Sequence, residues 1–424
     1  MLPIIKNQRE LAERLQKRQV LLTTEMKNVE QILTEVQKKG DTALKELTLK
    51  YDKVSIQKLK VSHRQLKKAQ KSMDSALDSA LHKAAENIQR FHQKQTPREV
   101  QLTQPDKSKV SLGWRPIKRV GIYIPGGRFP LLSTVLMNVI PAQVAGVKEI
   151  AICSPPTSSG LPHNTILGTC AIMNIKEVYS MGGAQAIAAL AFGTRSIPPV
   201  DKITGPGNIW VTAAKHAVSP FVGIDMLAGP TELVVIADET ANHDFIAADL
   251  ISQAEHDPKA WPVLITNSAT LAVKVNGSIS RLLENLTTRD IAEESLTKHG
   301  FIYLGKTVEA CINIANEISA EHVSLQVTNP KAWVKDVIAG SILLGPLTSI
   351  TWGDYWSGSN HILPTSGQAR SRGLLSVFDF LVQYSVIQTN SDALKTSGEE
   401  VIRLAASEGL QGHALAVEMR RGDA

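Results

Sequence analysis

Residues 119–156, "RVGIYIPGGRFPLLSTVLMNVIPAQVAGVKEIAICSPP", indicate the fold class of the chain. The β-branched run "RVGIYIPG" predicts a strand that ends at a turn, and "LLSTVLMNVIPAQVAG" predicts a helix. "EIAICSPP" then predicts a second strand. Because a strand, a helix and a strand in succession are typical of parallel pairing, we expect a βαβ unit here.

The same alternation continues on the C-terminal side of this stretch. Further strands are predicted at "EVYSMGG", "KITGPG", "ELVVIAD", "PVLITN", "FIYLG", "VSLQV" and "SILLG", with helices between most of them. We therefore expect an α/β fold with two doubly wound parallel sheets. Ligands of such sheets bind at the carboxyl ends of the strands, so we expect the site there, in the crevice between two domains.

The segments on either side of these predicted strands have a different sequence pattern. Residues up to about 93 show helical periodicity, and residues 94–118 are polar and contain proline, which suits a connector or an edge hairpin. Residues after about 375 predict a short helical tail. The sheets should therefore carry helical extensions at both ends of the chain.

The composition is that of a globular protein, with 424 residues of which 43% are hydrophobic and 20% charged. No stretch reaches the roughly 18 consecutive apolar residues of a membrane span, and the N-terminal apolar run is too short for a secretory signal. We expect a cytoplasmic protein without a membrane partner. Cys153, Cys170 and Cys311 lie in apolar surroundings, so we expect buried free thiols.

The net charge of +6 is unevenly distributed. Up to residue 119 there are 26 Lys and Arg against 13 Asp and Glu, which raises the possibility of nucleic-acid binding. These cations lie on Leu-, Ala- and Glu-rich helical segments with few aromatic residues among them. We therefore interpret them as solvated helix faces and expect no nucleic-acid partner.

Four glycine-rich turns adjoin predicted strands: "IPGG" (124–127), "MGGAQ" (181–185), "GPGN" (205–208) and "AGPTE" (228–232). Glycine lets a backbone approach a ligand closely, and the helix N-termini that follow favour anions. None of the four matches the G-x-G-x-x-G dinucleotide motif. Each alone is a weak indication, but together they predict one ligand-binding crevice.

Polar side chains with catalytic or ligating chemistry form four pairs: Gln253 with His256, Glu321 with His322, Asp354 with His361, and Glu408 with His413. The first pair shares a helix face, where a solvated helix end is the alternative to a ligand site. Glu321 and His322, at a predicted helix-to-strand junction, could act as a general base pair, although a strand would make their side chains diverge. Asp354 and His361 lie in a long loop containing glycine and proline, which is typical of functional loops.

The last pair, Glu408 and His413, need not share a helix face, and exposed surface positions explain both equally well. Amide, imidazole and carboxylate groups all bind zinc, so Gln253, His256, Asp354 and His413 could form one site. Spacing alone does not assemble residues that span 160 positions.

Several blocks in order make the chain similar to the L-histidinol dehydrogenase family. They are "VGIYIPGG", "MGGAQAIAALAFGT", "DKITGPGN", "AGPTELVVIAD", "LISQAEHDP", "AEHVSLQV", "GDYWSGSNHILPT" and "EGLQGHALAV". The resemblance begins at "VEQILTEVQKKGDTALKELTLKYD" and reaches the final helix. It covers essentially the whole chain and is more specific than any single motif.

The resemblance implies an enzyme that oxidises L-histidinol through L-histidinaldehyde to L-histidine, with two NAD+ reduced. It implies incomplete Rossmann-like domains and one Zn2+ per subunit, with ligands that fall on Gln253, His256, Asp354 and His413. The family's acid–base pair falls on Glu321 and His322. His322 would take the hydroxyl proton, and Glu321 would activate water for the second oxidation.

The resemblance also implies contacts to the ligands. NAD+ contacts fall on Tyr123, Gln185 and Asn208. The substrate contacts fall on Thr231, Gln253, His256, His322, Asp354, His361, Glu408 and His413.

A homodimer with shared active sites follows from the same resemblance, because family members exchange their tails. Glu408 and His413 would then serve the other subunit's site. We predict an N-terminal helical extension (1–20), a zinc-binding catalytic domain (21–122 with 232–375), an NAD-binding domain (123–231) and an exchanged helical tail (376–424).

Three other functions compete with this interpretation. A related zinc- and NAD-dependent dehydrogenase could act on another small alcohol, such as a sulfonated diol. A zinc hydrolase could use Glu321 to activate a metal-bound water, but it would not need the glycine-rich turns. A nucleic-acid binder could use the basic N-terminal third, and its binding would depend strongly on salt.

Overall fold

The computed structural model describes residues 1–18, 23–126 and 129–422, and the side chains of residues 17 and 23 are not described. The predicted boundary between residues 20 and 21, and Gly127 of the first glycine-rich turn, lie outside the described residues. The strands are β1 (Ile4–Ile5), β2 (Val100–Thr103), β3 (Lys109–Pro116), β4 (Arg119–Tyr123), β5 (Glu149–Ser154), β6 (Glu177–Ser180), β7 (Lys202–Thr204), β8 (Gly223–Ile224), β9 (Glu232–Ala237), β10 (Trp261–Thr266), β11 (Phe301–Leu304), β12 (His322–Gln326), β13 (Ser341–Leu344) and β14 (Leu381–Gln388).

The α-helices alternate with these strands or flank them. They are α1 (Gln8–Arg18), α2 (Thr23–Lys39), α3 (Asp41–Asp52), α4 (His63–Lys71), α5 (Ser75–Gln93), α6 (Leu132–Ala145), α7 (Asn164–Ile172), α8 (Gly183–Phe192), α9 (Ile209–Val218), α10 (His243–Ala254), α11 (Ala269–Leu283), α12 (Arg289–Lys298), α13 (Val308–Ile318), α14 (Ile350–Tyr355), α15 (Ser391–Ser407) and α16 (Gln411–Gly422). Short 3-10 helices cover Pro330–Asp336, Gln368–Arg370 and Val377–Phe380.

Two parallel sheets form the centre of the molecule, which confirms the predicted fold class. The five-stranded sheet has the order β6-β5-β4-β7-β8, and the six-stranded sheet has the order β1-β11-β10-β9-β12-β13. All neighbouring strands in both sheets pair in parallel. The central strands β4, β9 and β10 are buried on both faces, which explains why the sequence shows continuous apolar runs instead of alternation.

The N-terminal helices pack on the five-stranded sheet. Helix α2 contacts α8 and α9, α4 contacts α7, and α5 contacts α6. Their apolar residues share cores with strands of that sheet, for example Val36 with Tyr179 and Ile88 with Ile122. This packing differs from the predicted grouping of residues 21–122 with residues 232–375. Helical periodicity identifies an apolar face but does not say which sheet that face will cover.

Residues 1–18 pack instead on the six-stranded sheet. Strand β1 pairs with β11, and Leu11 of α1 is buried in a core with strands β9 to β12. The N-terminal segment therefore reaches the sheet that carries most of the polar candidates.

The connector at 94–118 forms a hairpin of β2 and β3, as predicted, and β14 adds a third antiparallel strand. The tail is thus not entirely helical, and this strand was missed. "LVQYSVIQ" is rich in β-branched residues and pairs along the edge of β3 that β2 leaves open. None of the described helices has the length and apolarity needed to cross a bilayer.

Candidate active site

One cavity of about 160 Å3 lies between the two parallel sheets. Gly205 and Asp225 reach it from the carboxyl ends of β7 and β8, as expected for a doubly wound sheet. Thr231 and Glu321 reach it from just before β9 and β12, and thus from the amino edge of the six-stranded sheet. The expectation that the site lies at the carboxyl ends of the strands is therefore wrong for this second sheet. Seven predicted site residues line the cavity: Thr231, Gln253, His256, Glu321, His322, Asp354 and His361.

Thr231 links two of these side chains. Its hydroxyl donates to Oε2 of Glu321 over 2.5 Å and accepts from Nε2 of Gln253. The backbone N–H of Glu232 donates to the same Glu321 oxygen over 3.0 Å. Donors on Oε2 fix the orientation of the Glu321 carboxyl group before any ligand binds.

The Glu321 carboxyl group titrates near neutral pH. Burial raises the pKa of Glu321 to about 8, and the hydrogen bonds from Thr231 and Glu232 oppose that rise. Burial likewise raises the pKa of Asp354 to about 7. Groups that change protonation near the working pH are suited to proton transfer.

The imidazole of His322 lies between two carboxyl groups. Its Nδ1 is 3.8 Å from Oε2 of Glu321, and its Nε2 is 3.8 Å from Oδ1 of Asp354. Burial lowers the pKa of His322 to about 3, with the backbone of Glu232 opposing the shift. The ring is therefore neutral at pH 7 and can accept a proton. The side chains of Glu321, just before β12, and of His322, its first residue, both line the cavity.

His361 and Asp354 come from the segment predicted as a long loop. Its first part is instead helix α14, which begins at Ile350 and carries Asp354 in its last turn. Nδ1 of His361 is 3.0 Å from the backbone oxygen of Asp354, and burial lowers the pKa of His361 to about 4. The helix is short and rich in aromatic residues, so the sequence pattern resembled a loop.

The donor set around Gln253 fits part of a zinc site. Oε1 of Gln253 is buried without a hydrogen-bond partner, and His256 and Asp354 line the same cavity. Burial lowers the pKa of His256, which keeps a ring nitrogen free for a metal. Among the described residues no three His, Cys, Asp or Glu side chains are arranged to hold a metal ion. One chain thus supplies one amide, one imidazole and one carboxylate, which leaves a fourth position open.

The predicted residues of the tail are not in this cavity. Glu408 follows α15 and His413 lies near the start of α16, and both side chains are exposed. Within one chain they are surface positions, as the sequence alone allowed.

The three predicted NAD+ contacts also lie outside the cavity lining. Tyr123 is buried, and its hydroxyl accepts from the backbone N–H of Gly183 over 3.2 Å. Gln185 is buried in the first turn of α8, whereas Asn208 is exposed and caps the N-terminus of α9. All three are located at glycine-rich turns on the carboxyl side of the five-stranded sheet.

Two buried ion pairs near the cavity were missed by sequence reasoning. Arg18 of α1 forms a bidentate pair with Glu232, whose carboxylate accepts from the backbone N–H of Glu321. Lys215 of α9 pairs with Asp225 at the cavity wall. An acid at the start of the fully buried strand "ELVVIAD" was the available indication for Glu232, since a buried carboxylate needs a partner.

Comparison with known proteins agrees over the whole chain. The family described as histidinol dehydrogenase matches residues 15–421. A histidinol dehydrogenase of Geobacillus kaustophilus (strain HTA426) is 45% identical over 390 residues, which cover 92% of each chain. One of Bacillus cereus (strain ATCC 10987 / NRS 248) is 43% identical and covers 95% of this chain and 94% of its own. The crystal structure of histidinol dehydrogenase from Elizabethkingia anophelis has a TM-score of 0.94 at 36% identity, covering 100% of this chain and 98% of that chain.

Proposed function

This chain belongs to the histidinol dehydrogenase family, and on that premise we propose that its cavity oxidises L-histidinol to L-histidine, with NAD+ as the oxidant. The enzyme is thus an oxidoreductase of histidine biosynthesis. Relatives named for histidinol favour this substrate over a sulfonated diol. The observation that carries the assignment of the cavity is the buried His322, whose two ring nitrogens lie 3.8 Å from the carboxyl groups of Glu321 and Asp354 in the same cavity.

In the first oxidation the substrate alcohol loses a hydride to NAD+ and its hydroxyl proton to His322. The ring of His322 is suited to this role because its nitrogens lie 3.8 Å from the carboxyl groups of Glu321 and Asp354, whose negative charge favours the protonated ring. The second oxidation starts from the aldehyde: Glu321 takes a proton from the water that adds to it, and His322 returns its proton to the carbonyl oxygen, so that the ring is neutral again. His322 then accepts a proton again as the second hydride leaves.

Zinc ligation is proposed for Gln253, His256, Asp354 and His413. Zinc, when bound, supplies a cation that holds and orients the nitrogen atoms of the substrate. The buried, unpartnered Oε1 of Gln253 supports this assignment, because an unpaired buried oxygen otherwise destabilises the fold. Thr231 holds the amide of Gln253 from the other side, so that its oxygen remains free.

NAD+ contacts are proposed for Tyr123, Gln185 and Asn208. The glycine-rich turns at Gln185 and Asn208 lead into helices α8 and α9, whose N-termini favour phosphate groups. A cytoplasmic location fits this cofactor and the three buried, free cysteines.

A homodimer is proposed in which the tail of each chain completes the other chain's site. Helices α15 and α16 and the turn between them expose several large apolar side chains: Val401, Leu404, Leu410, Leu415 and Met419. An apolar surface of this kind is typical of a protein–protein interface. Glu408 and His413 lie on the same tail, where they would contact substrate and zinc in the second subunit.

The assay that tests the function follows NADH from L-histidinol and NAD+. We expect two NADH per L-histidine formed, loss of activity after chelation and recovery with zinc. A sulfonated diol serves as the control substrate and should give no NADH. Oxidation of the diol without oxidation of L-histidinol would contradict the proposal.

Mixed dimers test the shared site. We expect His322→Asn and His413→Asn proteins to be inactive alone and to regain roughly a quarter of wild-type activity after subunit exchange at equal amounts. Half of the dimers are then mixed, and each mixed dimer has one site with both native histidines. If each site used its own His413, the mixture would stay inactive.

A further inference from the structure

The buried ion pair between Arg18 and Glu232 adjoins Glu321, the residue that carries the proposed catalytic carboxyl group. Nε and Nη2 of Arg18 donate to the two carboxylate oxygens of Glu232, and both side chains are almost fully buried. Nη1 of Arg18 also donates to the backbone oxygen of Ile318 over 2.6 Å. The guanidinium group therefore joins helix α1 to the start of β9 and to the end of α13.

The carboxylate of Glu232 in turn holds two backbone segments that enter the cavity. Its Oε2 accepts from the backbone N–H of Glu321 over 3.3 Å, and its Oε1 accepts from the backbone N–H of Ser366 over 3.0 Å. Ser366 follows Thr365, which lines the cavity. One side chain thus connects the starts of β9 and β12 and the segment after His361.

The contacts between residues 232 and 321 are reciprocal. The backbone N–H of Glu232 donates to the side chain of Glu321, and the backbone N–H of Glu321 donates to the side chain of Glu232. Two carboxyl groups are therefore held close together in a buried place, which disfavours charge on both. Arg18 supplies the counter-charge on the side away from the cavity.

We propose that Arg18 and Glu232 form a positioning pair that fixes Glu321 for its part in the second oxidation. The side chains of the pair do not line the cavity, and they act through the backbone of Glu321 and through the charge that Arg18 balances. The assignment of the second oxidation to Glu321 rests on the proposed function. The N-terminal helix is thereby a part of the active-site framework.

Arg18→Met tests this role because it removes the guanidinium group and retains an apolar stem. We expect oxidation of L-histidinaldehyde to fall at least about tenfold, since small displacements of catalytic groups carry large rate losses. The first hydride transfer, followed in a single turnover with L-histidinol, should fall less than about threefold. Arg18→Lys keeps the charge but loses the bidentate geometry, and its loss should be intermediate.

Arg119 provides a matched control on the other sheet. It is a buried arginine that binds Glu177 through two nitrogens, at 3.1 Å and 2.7 Å, at the amino end of β4 and away from the cavity. Arg119→Met should lower thermal stability to a similar extent and should affect both oxidations equally. If Arg18→Met reduced both oxidations equally, or if Arg119→Met gave the same selective loss, the positioning role would be wrong.

A double variant covers the case in which Arg18→Met does not fold. Arg18→Met with Glu232→Gln removes both charges, so no buried charge is left unpaired, and such neutral replacements are often tolerated. The double variant should show the same selective loss of the second oxidation. If the double variant oxidised both substrates at the wild-type rates, the proposal would be overturned.

Hydrogen exchange separates this inference from the proposed function. The amides of Glu321 and Ser366 donate to Glu232, so peptides containing them should exchange faster in Arg18→Met than in wild type, without substrate or NAD+. The same peptides should be unchanged in Arg119→Met. Unchanged exchange in Arg18→Met contradicts the positioning role, whereas a wild-type chain that fails to oxidise L-histidinol contradicts only the proposed function.

Discussion

Two buried polar clusters meet the same cavity from opposite sides, and they differ in how completely their atoms are paired. In the cluster on the five-stranded sheet, Asp225 accepts from Lys215, from the backbone N–H of Gly205 over 2.7 Å and from that of Met226 over 2.6 Å. Lys215 also donates to the backbone oxygen of Gly205 over 3.0 Å. These groups satisfy one another and hold the "GPGN" turn in place.

The cluster on the six-stranded sheet is only partly paired. Oε1 of Gln253 and Nδ1 of His322 are buried without a hydrogen bond of normal geometry. A buried unsatisfied group costs about 1–3 kcal/mol, and at the wall of a cavity such a group is available to a ligand. We therefore interpret the paired cluster as support for the backbone, and the partly paired cluster as the proposed site for substrate and metal.

Replacing His322 should have the largest effect. His322→Asn removes the proposed base, and we expect kcat to fall by about 10²- to 10⁴-fold. The free energy of unfolding should stay the same or increase, because a desolvated ring with an open nitrogen is removed. Steady-state kinetics and urea unfolding of the same preparation check both points. A large loss of stability with modest loss of activity would reverse the distinction between the clusters.

Replacing Lys215 should affect stability more than chemistry. Lys215→Met leaves Asp225 buried without its cation, and we expect the free energy of unfolding to fall by about 3–5 kcal/mol. Lys215→Met with Asp225→Leu removes both charges and should recover much of that loss. Urea unfolding of the three proteins decides this point, and an unchanged midpoint in Lys215→Met would show that the pair does not support the turn.

Thr231 should show the smallest effect, because its role depends on one hydroxyl group. Thr231→Ser keeps the hydroxyl and should retain activity within about threefold, whereas Thr231→Val leaves the Glu321 and Gln253 groups unpaired at a cost of about 1–3 kcal/mol. The rates of both oxidations in the two variants measure the difference. Equal rates in Thr231→Ser and Thr231→Val would mean that the hydroxyl does not orient its neighbours.

The fold was predictable because its strands are continuous apolar runs between glycine-rich turns. "RVGIYIPG" and "ELVVIAD" both become buried parallel strands. The packing partners of the N-terminal helices and strand β14 were not predictable in this way. An amphipathic helix such as α2 fits either sheet, and β14 depends on an open edge of β3 that no local pattern reveals.

The cavity residues were found by type and resemblance, but their arrangement was not. Spacing did not show that Gln253, Asp354 and His322 meet, since they are brought together by three separate elements. The ion pair of Arg18 could not be predicted from the sequence either, because its partner Glu232 is more than 200 positions away. Long-range ion pairs carry no local pattern, and only the buried acid at the start of a strand pointed to one.

Zinc content after chelation and reloading tests the distinction between the clusters most directly. Gln253→Met replaces the amide with a side chain of similar size that lacks the open oxygen, and Lys215→Met alters the paired cluster. We predict one zinc per chain in wild type and in folded Lys215→Met, and little or none in Gln253→Met. Equal zinc in all three proteins would contradict the assignment of the unpaired cluster to the metal.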